Sequence, residues 1–250
     1  MPATPAWPPR SLPRLFVDAE LSAEAEIALD AAQANYLIRV LRLGPGDQAK
    51  LFDDRSGEWL AEIAHVGKRD AVLRVVGHLR EREAVPDLWL CAAPIKRARW
   101  DWVAEKATEL GVARLIPVRT ARTVVDRVKD DRLRAHMIEA AEQCERTALP
   151  ELAAMTSLDA LLADWPETRH LFFADERGGG SFRKALAAHD GRAAILIGPE
   201  GGFTDAENAA IRALPASVPV SLGPRILRAD TAAVAAVALW MAGRGDWSGA

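Results

Sequence analysis

The chain has 250 residues, 50% of them hydrophobic and 27% charged, the make-up of a globular protein with a sizeable core rather than a disordered or fibrous one. A net charge of -3 excludes a uniformly basic nucleic-acid binder. Two cysteines and five scattered histidines suggest neither a disulfide framework nor a metal site.

Residues 1–13 are rich in Pro and Ala and lack the apolar stretch of a signal peptide. No apolar run approaches the ~20 residues of a membrane span. The reading is a cytoplasmic protein of a bacterium-like cell, with no membrane partner. Short strand-like segments follow at Arg14–Val17, Gln48–Asp53, Glu58–Val66 and Ala71–Val76. The last two flank Gly67-Lys68-Arg69-Asp70, a hairpin turn by its Gly and Asp. One helix, Ala31–Leu41, interrupts them with Tyr36, Leu37, Val40 and Leu41 on its apolar face. Residues 1–84 therefore read as a small barrel-like β domain.

After Pro86 the pattern alternates. Strands are predicted at Leu88–Ala93, Leu115–Val118, His170–Ala174, Ala194–Ile197 and Val218–Leu222, with helices at Trp100–Leu110, Asp131–Thr147, Ser157–Ala163, Ser181–Ala188, Asp205–Leu214 and Thr231–Ala242. Such alternation implies an α/β domain over residues 85–250, a mostly parallel sheet covered on both faces. Its ligand site belongs beyond the carboxyl ends of the strands.

Two loops at that end carry the chemistry. Ile197-Gly198-Pro199-Glu200-Gly201-Gly202 leaves an apolar run and leads to a helix that Thr204 and Glu207 can close with a capping box. Leu222-Gly223-Pro224-Arg225-Ile226-Leu227-Arg228 follows the next strand. Neither loop is a G-x-G-x-x-G or P-loop fingerprint. Together they suggest one pocket where bare main chain lies against a flat or polar ligand. Arg225 and Arg228 beside it need an anionic partner, and Asp230 or Thr231 suits a helix N-cap. Residues 96–134 hold eleven Lys or Arg against six Asp or Glu, which suits either an anionic partner or a set of solvated helix faces. Glu142 and Arg146 read either as an i,i+4 surface pair or, with Gln143, as groups projecting toward a substrate.

The motifs Lys96 with Arg99-Trp100-Asp101-Trp102, Glu105-Lys106-Ala107-Thr108-Glu109-Leu110-Gly111-Val112, Arg122-Thr123-Val124-Val125, and Glu139-Ala140-Ala141-Glu142-Gln143-Cys144 with Arg146 and Pro150 precede these two loops in the chain. In this order, and with Arg14-Leu15-Phe16 and Arg39-Val40-Leu41-Arg42-Leu43-Gly44-Pro45-Gly46 before them, they resemble the ribosomal small-subunit RNA methyltransferases that modify N3 of a uridine. The resemblance implies a PUA-like domain at 1–84 and, at 85–250, a SPOUT-type α/β domain whose parallel sheet carries a trefoil knot and helices on both faces. It implies a homodimer acting on small-subunit ribosomal RNA or the assembled small subunit.

S-adenosylmethionine would lie on Ile197, Gly198, Pro199, Glu200, Gly201, Gly202, Leu222, Gly223, Ile226 and Leu227. Arg228 and Glu142 are the catalytic candidates. The group that takes the N3 proton is open among Glu142, Glu145, Glu200 and Asp230. Arg10, Arg14, Arg39, Arg42, Gln143, Arg146 and Arg225 are the RNA-contact candidates, and no metal is implied. The family's Thr-Glu-Thr is here Ala229-Asp230-Thr231, which favours capping over catalysis for Asp230. The alternatives are a non-enzymatic RNA-binding module, or the same chemistry on a different RNA.

Overall fold

The structure, a computed structural model, describes residues 12–249, so Arg10 lies outside the described residues. The chain forms two units. One comprises residues 12–84 with Ala141–Ala148, the other Val85–Ala140 and residues 149–249. The return of Ala141–Ala148 to the first unit is a departure from a single break near Ala84.

In the first unit β1 (Arg14–Phe16), β2 (Glu26–Ala28), β3 (Gln48–Phe52), β4 (Glu58–Val66) and β5 (Ala71–Arg80) pair in the order β1-β3-β4-β5-β2. Only β1 and β3 run parallel. The Gly67 amide donates to the Asp70 carbonyl at 2.9 Å across the β4–β5 turn. Register shifts along β4 mark bulges, which bend a sheet around its core of Leu15, Leu51, Ile63 and Leu73.

The first helix is shorter than its pattern predicts. After α1 (Ala31–Asn35), closed by an Asp30–Gln33 capping box, the chain makes one π turn at Tyr36–Val40. The Leu41 amide there reaches back to the Tyr36 carbonyl at 3.0 Å. The wider turn breaks the expected apolar face. Leu37 is buried, while Tyr36, Val40 and Leu41 are exposed. Arg42 then adopts a φ of 60°.

Two arginines expected to meet RNA are instead part of this unit's interior. Arg14 is buried, pairs with Glu58, donates to the carbonyls of Ala141 and Arg146, and lies 3.8 Å over the Phe52 ring. Its donors are committed, so the phosphate role is corrected to a framework one. Arg146 is buried as well, with Glu83 at 3.9 Å. Burial pulls both guanidinium groups below the usual arginine range, against the opposing pull of Glu58 and Glu83. Glu142, a catalytic candidate, accepts the Phe16 amide on its Oε1 at 2.9 Å. Gln143 is exposed.

The second unit follows the alternation closely. It runs β6 (Leu88–Ala92), α2 (Arg97–Glu109), β7 (Arg114–Arg119), α3 (Asp130–Gln143), β8 (Glu151–Leu152), β9 (Thr156–Ser157), α4 (Leu158–Ala163), β10 (His170–Ala174), β11 (Gly180–Ser181), α5 (Phe182–Ala188), β12 (Ala193–Ile197), α6 (Asp205–Ala213), β13 (Ser217–Ser221) and α7 (Ala229–Arg244). The end of α3 passes into the first unit. All pairings are parallel, in the order β11-β13-β10-β12-β6-β7-β8, with β9 beside β7.

Alternate residues of β12 point to opposite faces. Ala193, Ile195 and Ile197 pack with α2 and α7, and Ala194 and Leu196 pack with Leu158 of α4 and Ile211 of α6. That two-sided burial explains the unbroken apolar run. Among the described residues, no helix is long and apolar enough to cross a membrane.

Glu58 sits between Arg14 and Arg80. Burial pushes its carboxyl up, but hydrogen bonds from Arg80 and Arg14 hold it below the usual range. A depressed folded value contributes stability above the unfolded pKa of about 4.3 and loses it as pH falls through the folded value. Glu58→Gln leaves Arg14 buried without its counter-charge and is expected to cost about 3 kcal/mol or more. Hydrogen exchange of β4 amides at pH 7 measures this loss. The acid-induced loss of protection in the wild type should be blunted in the variant.

Candidate active site

The sheet order creates the site. From β6 the chain moves outward to β7, whereas β12 is followed by β13 on the other side. Loops leaving β6 and β12 therefore diverge, and a crevice opens at their carboxyl ends. A cavity of about 640 Å³ fills it, lined by residues that follow β6, β10, β12 and β13.

The loop after β12 is built by contacts on both sides. Gly202 donates to the Pro199 carbonyl at 2.9 Å and sits at φ 67°, a conformation that glycine adopts without steric cost. A Cβ on Gly198 would come within 2.9 Å of the Phe203 ring. The expected capping box is present: the Thr204 hydroxyl accepts the Glu207 amide, and the Glu207 side chain accepts the Thr204 amide. Glu207 also accepts the Ala121 amide at 2.6 Å. From the same β7 loop Arg122 donates to the Gly201 carbonyl at 2.6 Å. Burial raises the Glu207 carboxyl, but these amide and hydroxyl donors more than offset it and hold it below the usual range.

The loop after β13 turns at Gly223, φ 125°, and rejoins the core through Leu227. Arg228 is the N-cap residue of α7, its carbonyl accepting the Ala232 amide at 2.8 Å. This corrects the cap expected at Asp230 or Thr231. Asp230 lies inside the first turn, where its Oδ1 accepts the Thr231 amide at 2.8 Å. Ile226 is 87% exposed.

Of the ten residues expected at a cofactor, nine line the cavity. Gly201 does not, since its carbonyl faces Arg122. Arg225 and Arg228 line it as well, whereas Glu142, Gln143 and Arg146 do not.

A third loop escaped the sequence reading. Ala174, Asp175, Glu176 and Arg177 after β10 line the same cavity. The buried Asp175 carboxylate accepts the Arg177 amide at 2.9 Å and pairs with Arg212. The signal was a strand running into Gly178-Gly179-Gly180, which carries the same bare-backbone mark as the other two loops. Lys96 and Arg99, known only through the upstream motifs, also line it. Arg99 reaches Glu200 at 2.9 Å and Asp230 at 3.7 Å. Among the described residues no group of three or more His, Cys, Asp or Glu could hold a metal ion.

This fold is shared with RNA methyltransferases. Residues 81–241 match the family model of the RNA methyltransferase domain, and residues 29–76 that of the RNA methyltransferase PUA domain. The ribosomal RNA small subunit methyltransferase E of Rickettsia conorii is 31% identical, covering 90% of this chain and 93% of that protein. The Synechocystis protein of the same name is 34% identical over 90% of this chain and 76% of its own length. A Neisseria gonorrhoeae structure of that name, bound to S-adenosyl methionine, superposes with a TM-score of 0.86 at 25% identity, covering 94% of this chain and 99% of the other. A Legionella pneumophila protein in complex with the bound cofactor SAM gives 0.85 at 30% identity, with the same coverage. The chain belongs to the ribosomal RNA small subunit methyltransferase E family.

Gly198→Ala forces the Phe203 ring aside and should lower stability by about 1–3 kcal/mol, the range for overpacking. Urea unfolding followed by circular dichroism checks it.

Proposed function

We propose that the protein methylates N3 of a uridine in small-subunit ribosomal RNA, with S-adenosylmethionine as methyl donor. The observation that carries this reading is the cavity shared by three main-chain loops at one end of a parallel sheet. Gly198 with its blocked Cβ and Gly202 and Gly223 with positive φ form a cradle suited to a flat adenosine. Ile197, Gly198, Pro199, Glu200, Gly202, Leu222, Gly223, Ile226 and Leu227 would hold the cofactor, with the third loop completing the wall. The bound cofactor supplies a methyl group on a sulfonium, so the work of the chain is alignment and charge management.

A uridine N3 becomes a nucleophile only once its proton leaves, and the resulting imidate carries negative charge. Arg228 is placed to stabilise it. Its side chain is exposed at the pocket edge and, among the described residues, makes no ion pair. The amino end of α7 adds its partial positive charge at the same point. Arg225, exposed beside it, is assigned to a phosphate.

In the first unit the RNA-docking role falls to Arg39 and Arg42, both exposed. Arg39 borders a cavity of about 370 Å³ together with Lys68 and Arg69. A homodimer belongs to this proposal, supported by Trp102 of α2 and Leu239 of α7, apolar side chains exposed on two helices. So do the trefoil threading, supported by the bonds from Ala121 to Glu207 and from Arg122 to Gly201 that tie the loop after β7 to the segment after β12, and a cytoplasmic location.

The test is transfer of a labelled methyl group to small subunits, followed by nucleoside mass spectrometry. N3-methyluridine is the expected product, and its absence together with no heat on titration with S-adenosylmethionine would favour a non-enzymatic RNA-binding module. Arg228→Ala should lower kcat by about 100-fold or more while the cofactor still binds. Replacing Arg39, Lys68 and Arg69 together by Ala should weaken RNA binding, and should flatten its salt dependence by roughly 0.7 to 0.9 per phosphate contact removed.

A further inference from the structure

One side chain joins elements that the fold otherwise connects only through long stretches of chain. Arg99 projects from the first turn of α2, just after β6. Its guanidinium meets Glu200, in the turn after β12, at 2.9 Å, and Asp230, in the first turn of α7, at 3.7 Å. Arg99 and Glu200 line the cavity, and Asp230 stands next to its lining residue Ala229. The loops from β12 and β13 that would enclose a cofactor are thus tied to each other and to α2 at the pocket wall.

We propose that Arg99 is a positioning residue. It holds the Gly198–Gly202 loop and the start of α7 at the separation that closes the cradle, and it neutralises two carboxylates that would otherwise face each other at the mouth. The proposal rests on the reading of the cavity as the S-adenosylmethionine site.

Charge accounting at the wall supports the second half. Five cations line the cavity, namely Lys96, Arg99, Arg177, Arg225 and Arg228, against Asp175, Glu176 and Glu200, with Asp230 just behind the lining in the first turn of α7. Asp175 is matched by Arg212 and Arg177 by Asp205. Among the described residues Lys96, Arg225 and Arg228 make no ion pair, which leaves them for an anionic substrate. Among the described residues, Glu200 and Asp230 have Arg99 as their ion-pair partner. Remove it, and two uncompensated negative charges stand where RNA must approach, opposing the three free cations.

The pairs are partly exposed, with side chains at 36% for Arg99, 47% for Glu200 and 16% for Asp230, and such pairs contribute little to global stability. Their effect is on local geometry, where a displacement of an ångström can matter greatly. A lysine cannot substitute, because one ammonium on a flexible stem lacks the planar fork that spans two carboxylates.

The experiment is calorimetric titration of the whole protein with S-adenosylmethionine, in the wild type and in Arg99→Ala, Arg99→Lys, Glu200→Gln and the double variant Arg99→Ala/Glu200→Gln. Arg99→Ala should weaken cofactor binding about tenfold with the melting temperature within a few degrees of wild type, and Arg99→Lys should fall between. The double variant should bind no more weakly than Arg99→Ala alone, since groups that act as a unit are not additive. A role confined to stability would move the melting temperature and leave the affinities alone. Wild-type affinity in Arg99→Ala or Arg99→Lys, or strictly additive losses in the double variant, overturns the proposal. A wild-type protein that binds no S-adenosylmethionine overturns the cofactor reading, and the proposal falls with it.

Discussion

The pocket depends on where one carboxylate sits. Glu207 accepts the amide and hydroxyl of Thr204 and the amide of Ala121, so the first turn of α6 and the loop after β7 are fixed to the same point. A helix begins with amides that have no intrahelical acceptor, and Glu207 satisfies one of them from within. Its second oxygen then reaches a loop that the chain left some eighty residues earlier. With Arg122 holding the Gly201 and Phe203 carbonyls at 2.6 and 3.4 Å, the main chain between Gly198 and Phe203 has little freedom left. A glycine-rich cradle is useful only if it is held still, because glycine itself provides no rigidity.

The first unit solves a different problem with similar means. Ala141–Ala148 leaves the end of α3 and joins the β unit, where its carbonyl groups need donors. Arg14 supplies two, to Ala141 and Arg146, and Arg80 supplies one to Glu145. Both arginines share Glu58 as counter-charge. Glu83 takes the amides of Thr147 and Ala148 at 2.6 and 3.0 Å. A buried charge is tolerable only when its partners and remaining hydrogen bonds are all present, and this network provides them through the main chain at the end of α3 and just beyond it.

What could be read in the sequence was whatever the chain determines locally. The strands Glu58–Val66 and His170–Ala174 stand at their expected bounds, because alternation and apolar runs report burial directly. The Thr204–Glu207 box was legible because its members are three residues apart. The bond from Glu207 to Ala121 was not, since nothing in either neighbourhood encodes it. Arg14 shows the same limit: an arginine near the start of a chain reads as surface charge until Glu58, 44 residues later, is seen to cover it. The π turn at Tyr36–Val40 escaped for a subtler reason. Its apolar spacing fits an ordinary helix, and one extra residue in the turn rotates Tyr36, Val40 and Leu41 outward. At the pocket, the two Gly-Pro loops were visible and the loop after β10 was not, because its glycines, Gly178-Gly179-Gly180, follow the charged Asp175-Glu176-Arg177 that line the cavity instead of lining it themselves.

The strand order bears on how the pocket comes into being as the chain is made. β6 is synthesised early, but its pocket-side neighbour β12 follows only after β7 through β11, and β13 and the start of α7 come later still. Until then the pocket-side edge of β6 lacks its partner, and loop closures of that length slow folding. Two of the four walls of the crevice are therefore made only after β7 through β11. A chain made only as far as β11 has the strand of the first wall but neither the Gly198–Gly202 loop nor the loop after β13, so the cradle can close only once β13 has followed.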